Sequence, residues 1–366
     1  MTILNVMWSS GPAFASVHKV HRQVLEQVDG ATPIKTWLLQ GNADGGAAIG
    51  ETRMWHLTSS KLKGKHVWGL LRSRMQARFY QALNDSGAQV VLLDGLGAAR
   101  ALLPELKKLP QVRAVVLFHG ETRFRAPDRA LFAQFSAAQL MVAAVSQTLA
   151  DRLVADLQVP VLTLGCALDP VASRSRLLTR EQARTRLQLP LDDTPVVGAV
   201  GRLVNGKGFA CLIDAFAKAL TEHPRLQLVI LGEGQARPAL QAQIQRLGLH
   251  GKVLLPGYLD DAANLYRAFD WVAIPSIEEG LGLALQEAVL AGVPVLCSEL
   301  AVFREQLGEA GRYVAMADAH AWHAALVQAL HAAPEPVALA QYAALSPDSA
   351  WRSFSQAARE LLSCRQ

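Results

Sequence analysis

Apolar positions along this chain fall into short continuous runs separated by amphipathic stretches, and the alternation persists from end to end. In the first half the runs are "TILNVMW", "IKTWLLQ", "QVVLLDG", "RAVVLFHG", "QLMVAAVS" and "PVLTLG". In the second they are "PVVGAVG", "LQLVILGEG", "KVLLPG", "WVAIPS", "PVLCSE" and "GRYVA". Continuous Val, Ile and Leu runs between helical patterns predict parallel strands covered on both faces. Each half has enough of them for a complete doubly wound sheet, so the expected fold is α/β with two Rossmann-like domains. The junction is placed at "LGCALDP", residues 164–170, giving domains 1–167 and 168–346. The tail "SPDSAWRSFSQAARELLS" predicts a closing helix capped by Ser346 or Asp348. In paired doubly wound domains ligands sit at the carboxyl ends of strands, so a cleft between the halves is the expected site.

One stretch departs from a purely structural pattern. "EEGLGLALQE", residues 278–287, follows the strand "WVAIPS" and opens a helix that Gly292 should end. Its glycines let the backbone approach a ligand, and the helix N-terminus offers free N–H groups and a positive dipole end to an anion. Glu279 lies in the turn and Glu287 in the helix, with seven residues between them. Both are expected to point toward whatever the turn holds.

Three further loops follow strands of the second half. "RLVNGKG" brings Arg202 and Lys207 to a glycine-containing turn before the helix "FACLIDAFAKAL", and two cations with loop N–H groups suit a diphosphate. "EGQARPAL" is a near miss to a dinucleotide fingerprint, with Arg237 where the third glycine should stand, and reads as a tight turn. "YLDD" places Tyr258 after Gly257, where the pair can flank a base or Tyr258 can simply pack.

With 366 residues, 51% of them hydrophobic and 18% charged, the chain can bury two cores. No segment has the layout of a signal peptide or the apolar length to cross a bilayer, which predicts a soluble cytoplasmic protein. Cys166, Cys211, Cys297 and Cys364 are scattered without metal-site or disulfide spacing and read as buried or idle thiols. The net charge of +5 is uneven: from Thr52 to Asn84 there is no acidic residue, but Arg53, Lys61, Lys63, Lys65, Arg72, Arg74 and Arg78 all fall there. Within it "HVWGLLRSRMQARFYQAL" has helical periodicity, with Trp68, Leu71, Met75 and Phe79 opposite the arginines. This is either an ordinary packed amphipathic helix or a basic surface for anionic lipid or an anionic acceptor. Nothing adjoins it that would read nucleic acid.

Taken together, "GRLVNGKG", "LVILGEG", "VLLPGYLDD" and "IPSIEEGLGLALQEAVLAGVPVLCSE" resemble the nucleotide-binding domain of the retaining glycosyltransferases of family 4, strongly over residues 195–315. The first half is similar mainly in layout. The resemblance implies the GT-B fold, two Rossmann-like domains facing across a cleft, with the Trp351 helix (347–366) crossing back to the first, acceptor-binding domain. It implies that Arg202 and Lys207 hold the diphosphate of a sugar nucleotide and that Glu287 binds the ribose hydroxyls. Glu279 would then contact the donor sugar, and the amides around Leu281, Gly282 and Leu283 the phosphates or the sugar. In the first half Gly11, in "VMWSSGPAF", stands where the family's N-terminal glycine loop meets a phosphate, although Ser10 replaces a common glycine. His119, after "VVLF", resembles the family histidine that hydrogen-bonds the donor sugar near the reacting carbon, with Arg123 and Arg125 just beyond.

The implied reaction is transfer of a hexose from a UDP-sugar, or secondly from GDP-mannose, to a glycan or lipid-linked glycan such as lipopolysaccharide core. Configuration would be retained by front-side displacement, with the leaving phosphate accepting the proton. No DxD motif or metal cluster stands out, so neither metal nor other cofactor is expected. Two alternatives share the fold, a hydrolysing nucleotide-sugar epimerase and a non-catalytic sugar-nucleotide-binding module. The expected location is the cytoplasm, with attachment to the inner face of the membrane through the basic stretch.

Overall fold

The computed structural model describes residues 1–11, 14–42, 48–58 and 72–363. The chain forms two compact units: Met1–Cys166 with the returning segment Arg352–Gln366, and Ala167–Trp351. The returning segment thus starts inside the last helix, Pro347–Leu362, not at its first residue.

The first unit is built on β1 (Ile3–Met7), β2 (Ile34–Leu38), β3 (Glu51–Met54), β4 (Val90–Asp94), β5 (Arg113–Phe118), β6 (Leu140–Ala144) and β7 (Val161–Thr163). They form one seven-stranded sheet in the order β3-β2-β1-β4-β5-β6-β7, and every pair is parallel. Strands β1 and β4 are buried throughout, as continuous apolar runs between two helical layers require. Strand β3, "ETRM", is a largely exposed edge strand paired to β2, and the sequence pattern does not announce it because it has no apolar run.

The second unit carries β8 (Val196–Val200), β9 (Gln227–Leu231), β10 (Val253–Gly257), β11 (Trp271–Ile274), β12 (Val295–Ser298) and β13 (Arg312–Val314). Their order is β10-β9-β8-β11-β12-β13, again all parallel. Helix Phe209–Glu222 buries Phe209, Leu212, Ile213 and Phe216, which join residues of β8 and β9 in one core. Truncating Phe216, fully buried, to alanine would cost about 3–5 kcal/mol. The entry to β8 is fixed by Arg184, 1% exposed, whose guanidinium donates to the carbonyls of Ala268, Pro190, Asp192 and Thr194.

Each sheet reverses its winding at one place, between β1 and β4 in the first unit and between β8 and β11 in the second. At such a switch point the loops leaving two neighbouring strands diverge, which opens a crevice at their carboxyl ends. Lys207 and Glu279 of the second unit follow, and Asp94 of the first ends, strands that flank these points. Ser346 ends the preceding helix in a left-handed conformation, its hydroxyl donating back to the Ala343 carbonyl. It also stands at the N-cap position of the last helix, where its carbonyl accepts from the Ala350 amide at 3.0 Å.

Candidate functional site

In the second unit the loop after β8 and the loop after β11 are bonded to each other. The Ile277 amide donates to the Gly206 carbonyl at 2.8 Å. Gly208, at φ +68°, makes this approach possible, because a Cβ there would lie 1.9 Å from the Pro275 carbonyl oxygen. The turn Asn205–Lys207 then leads into helix Phe209–Glu222 and aims Lys207 at the opposite loop. Its ammonium donates to Oε1 of Glu279, which also accepts from the Ser276 hydroxyl at 3.0 Å. Both partners are mostly buried, so this pair is shielded from solvent far better than a surface ion pair. Arg202, in the same β8 loop, is exposed.

Glu287 lies on helix Leu283–Leu290, and its Oε2 accepts from the Tyr266 hydroxyl at 2.9 Å. Tyr266 is fully buried, and burial first, then the neighbouring carboxylate, push its phenol well above the ordinary range. It is therefore a fixed donor that orients one edge of Glu287. Gly282 caps this helix at φ +82°, where a Cβ would meet the Phe303 ring at 2.5 Å. No side chain caps the helix, so its N-terminal dipole end carries no built-in carboxylate partner. Leu281 is buried beside Gly282, with its carbonyl accepting from Gln306 at 2.6 Å, and Leu283 opens the helix.

The remaining candidates of this unit lie at other strand ends. Gly257 closes β10, and Tyr258 after it is 40% exposed. Burial, followed by Asp260, raises the Tyr258 phenol. The "EGQ" turn after β9 packs on the β8 loop, since the Leu203 amide donates to the Glu233 carbonyl and the Ala236 amide to the Leu203 carbonyl, both at 2.8 Å. Arg237 is held by Glu233 at 2.8 Å and by the Leu255 carbonyl at 2.9 Å, a structural brace for that turn.

The first unit gathers a buried polar cluster at its own switch point. His119 follows β5 and is 13% exposed at its side chain. Its Nε2 lies 3.1 Å from His21 Nε2 and 3.9 Å from Asp94 Oδ1. His21, on helix Ala15–Leu25, also bonds through Nδ1 to Asn5 Oδ1 of β1 at 2.7 Å. Asp94 ends β4 and accepts from the Trp8 amide at 3.0 Å. Burial pulls His119 down to about 3, with a smaller push from His18, and holds His21 well below the usual imidazole range. Burial also raises Asp94 to about 6, against the opposing bond from the Trp8 amide. His119 Nδ1 is buried with no partner among the described residues, an omission that costs about 1–3 kcal/mol unless a ligand fills it. Where the sequence offers no metal cluster, the structure brings ligand atoms of His21, Asp94 and His119 within 4.8 Å of one another. Neutral imidazoles beside a carboxylate have the donor chemistry that holds a divalent ion.

Gly11 lies past β1 in the left-handed region at φ +101°. Arg123 is exposed, and Arg125 precedes helix Ala126–Phe132, its backbone amide donating to Asp128 at 2.7 Å. Of the basic stretch, Lys61, Lys63 and Lys65 lie outside the described residues, as do Trp68 and Leu71. Phe79 is buried, while the guanidinium of exposed Arg53 sits 4.4 Å from the centre of Trp55 and that of Arg78 5.7 Å. These two arginines cover a buried indole as well as carrying charge.

Residues 194–332, which contain the Lys207–Glu279 pair and Glu287, match the family model described as "Glycosyl transferases group 1". This part of the chain is a glycosyl transferases group 1 domain. A D-inositol 3-phosphate glycosyltransferase of Corynebacterium urealyticum is 31% identical over 217 residues, 56% of this chain and 50% of that protein. A lipopolysaccharide core biosynthesis glycosyltransferase, LpsE, of Rhizobium meliloti is 35% identical over 147 residues, 40% of this chain and 42% of the relative. The chain thus spans about half the length or less of these curated relatives. Over nearly the whole chain the fold is that of Anabaena HepE, solved with UDP and glucose. The TM-score is 0.74 at 18% identity, covering 98% of this chain and 97% of that one. The two-unit architecture is accordingly the GT-B fold.

Outside the group 1 domain, sequence reasoning did not find His21, Asp94 or Asn5, and inside it Tyr266 was missed. A usable signal was present for Asn5, a polar residue in the middle of the buried run "ILNVM". Such a residue must find partners inside.

Proposed function

We propose that the protein is a glycosyltransferase that moves a hexose from a nucleoside-diphosphate sugar to a hydroxyl acceptor with retained configuration. The observation that carries this reading is the Lys207–Glu279 pair facing its own switch point, with Glu287 oriented by Tyr266 in the same group 1 domain. The Glu287 carboxylate, held on one edge by Tyr266, suits the two hydroxyls of a ribose. Lys207 and Arg202, with the uncapped N-terminus of helix Leu283–Leu290, supply positive potential to the diphosphate. Glu279 is assigned to hydroxyls of the donor sugar, and His119 to the sugar near the reacting carbon.

In the transfer step the bond from the anomeric carbon to the phosphate oxygen breaks and a bond to the acceptor oxygen forms on the same face. The acceptor proton passes to the departing phosphate oxygen. On this reading Lys207, Arg202 and the helix N–H groups face that developing charge, and such donors lower a barrier to the extent that they are preorganised. This chemistry needs no resident metal.

For the donor, UDP-hexose is favoured over GDP-mannose, supported by a fold relative solved with UDP and glucose. For the acceptor we favour a glycan or lipid-linked glycan. One relative is named for lipopolysaccharide core biosynthesis, and the basic stretch from Arg53 to Arg78 suits an anionic acceptor or membrane surface. Incubation with a panel of sugar nucleotides, following nucleotide release with and without acceptor, tests the proposal. Acceptor-dependent release is expected. Release that ignores acceptor would favour hydrolysis, and binding without release a non-catalytic module.

A further inference from the structure

The polar cluster of the first unit is a chain of hydrogen bonds whose direction is set at one end. The Ile49 carbonyl can only accept, and the Thr36 hydroxyl lies 2.5 Å from it. With its proton committed there, Thr36 Oγ1 serves as acceptor for the Asn5 amide Nδ2 at 3.5 Å. The Asn5 amide is thereby oriented with Oδ1 toward His21 Nδ1, 2.7 Å away. A carbonyl oxygen in that position demands a proton on His21 Nδ1, which leaves the lone pair of a neutral imidazole on Nε2. His119 Nε2, at 3.1 Å, must then be the donor. Asp94 Oδ1, 3.9 Å from the same nitrogen, favours the proton there as well. The lone pair of His119 consequently falls on Nδ1, the atom that has no partner among the described residues.

We propose that Asn5 and His21 are positioning residues that hold His119 in the Nε2–H tautomer, so that His119 Nδ1 accepts a hydrogen bond from a ligand hydroxyl. The corollary is a substrate class. A neutral sugar hydroxyl satisfies Nδ1, whereas a carboxylate or phosphate oxygen at that place sets lone pair against lone pair, so uronic-acid donors are rejected. The identity of the ligand as donor sugar rests on the transferase reading. The tautomer does not, because it belongs to the protein before any ligand binds.

Nitrogen NMR of the full chain labelled in histidine reads the tautomers directly. At pH 7 the expected pattern is a proton on Nδ1 of His21 and on Nε2 of His119, both rings neutral. In His21→Phe the His119 signals should move toward a mixture of tautomers, and in His21→Gln, whose amide oxygen can replace Nε2 as acceptor, they should return. Turnover with UDP-glucose should fall about tenfold or more in His21→Phe, the scale of a lost hydrogen bond to a neutral partner, with UDP affinity unchanged and partial recovery in His21→Gln. Turnover with UDP-glucuronate should be undetectable in the wild type. Protonation of His119 on Nδ1 in the wild type, or unchanged His119 tautomers in His21→Phe, would overturn the proposal. So would stoichiometric Zn²⁺ uptake that displaces the Nε2 proton. Absence of UDP binding by the wild type would contradict the donor reading alone and leave the NMR result to decide the tautomer.

Discussion

Lys207 and Glu279, 72 positions apart in sequence, bond to each other where the β8 and β11 loops meet. This pairing links two groups that the resemblance assigns to different parts of a donor, the diphosphate and the sugar. A carboxylate bonded to the ammonium holds Lys207 at the switch point and draws some of its potential away from a phosphate. Lys207→Ala and Arg202→Ala should each lower kcat/KM by about 2–4 kcal/mol in transition-state stabilisation, the scale of one preorganised electrostatic group. Steady-state kinetics with a turned-over sugar nucleotide measures this, and two variants with near-wild-type kcat/KM would place the phosphate site elsewhere.

The Tyr266 hydroxyl donates to Glu287. Tyr266→Phe keeps the buried ring and removes only the hydroxyl, so the fold should persist while Glu287 loses a fixed donor. Nucleoside diphosphate affinity should weaken by about 1 kcal/mol, the net scale of one hydrogen bond, and kcat should change little. Calorimetric titration separates this from an effect on chemistry. A selective loss of kcat would contradict a ribose-binding role for the carboxylate that Tyr266 orients.

The first unit should carry an acid-sensitive term in stability. His119 falls to about 3 in the fold against an ordinary 6.5, and His21 is lowered as well. Below pH 6.5 the unfolded chain therefore binds protons that the folded one refuses, and stability drops as pH falls toward 3, by roughly 1.4 kcal/mol per pH unit for each such proton. Asp94 has the opposite sign. Its folded value of about 6 lies above 3.8, so the fold takes its proton first and gains stability as pH falls through that window. Two histidines against one carboxylate leave a net loss on acidification. Asp94→Asn removes the opposing term, so the fall in Tm from pH 7 to pH 5 should be larger than in the wild type. An equal or smaller fall would contradict the assignment.

How much of this was legible in the sequence follows from what each feature needs. Parallel strands announce themselves as continuous apolar runs, so every strand of the two sheets except β3 could be read from the pattern. Strand β3 could not, because "ETRM" is exposed at the edge and stabilised by pairing with β2, not by its own composition. Glycine and charge after strand ends pointed to Lys207, Glu279 and Glu287 as members of a site. That Lys207 meets Glu279, or Tyr266 meets Glu287, depends on which strands neighbour each other, and local spacing says nothing of that order. The His21–His119 contact spans 98 positions and was illegible for the same reason.

The basic stretch makes a separate prediction. Arg53 and Arg78 partly serve to cover Trp55, so three other basic residues of the stretch, Lys61, Lys63 and Lys65, are the ones to replace. Replacing these three with glutamine should abolish sedimentation with anionic vesicles at low salt and leave donor affinity unchanged. Each charge near an anionic membrane contributes about 1 kcal/mol. Wild-type protein that ignores such vesicles would leave the stretch as a packed amphipathic segment.

On the proposed function, the second unit binds a nucleoside diphosphate sugar with its two glutamates in separate roles. Calorimetric titration of UDP and GDP into the wild type, Glu287→Ala and Glu279→Ala tests it most directly. The wild type should bind one of the two nucleotides, Glu287→Ala should lose most of that affinity, and Glu279→Ala should keep it while losing turnover. Equal loss in both variants, or a wild type that binds neither nucleotide, would contradict the account.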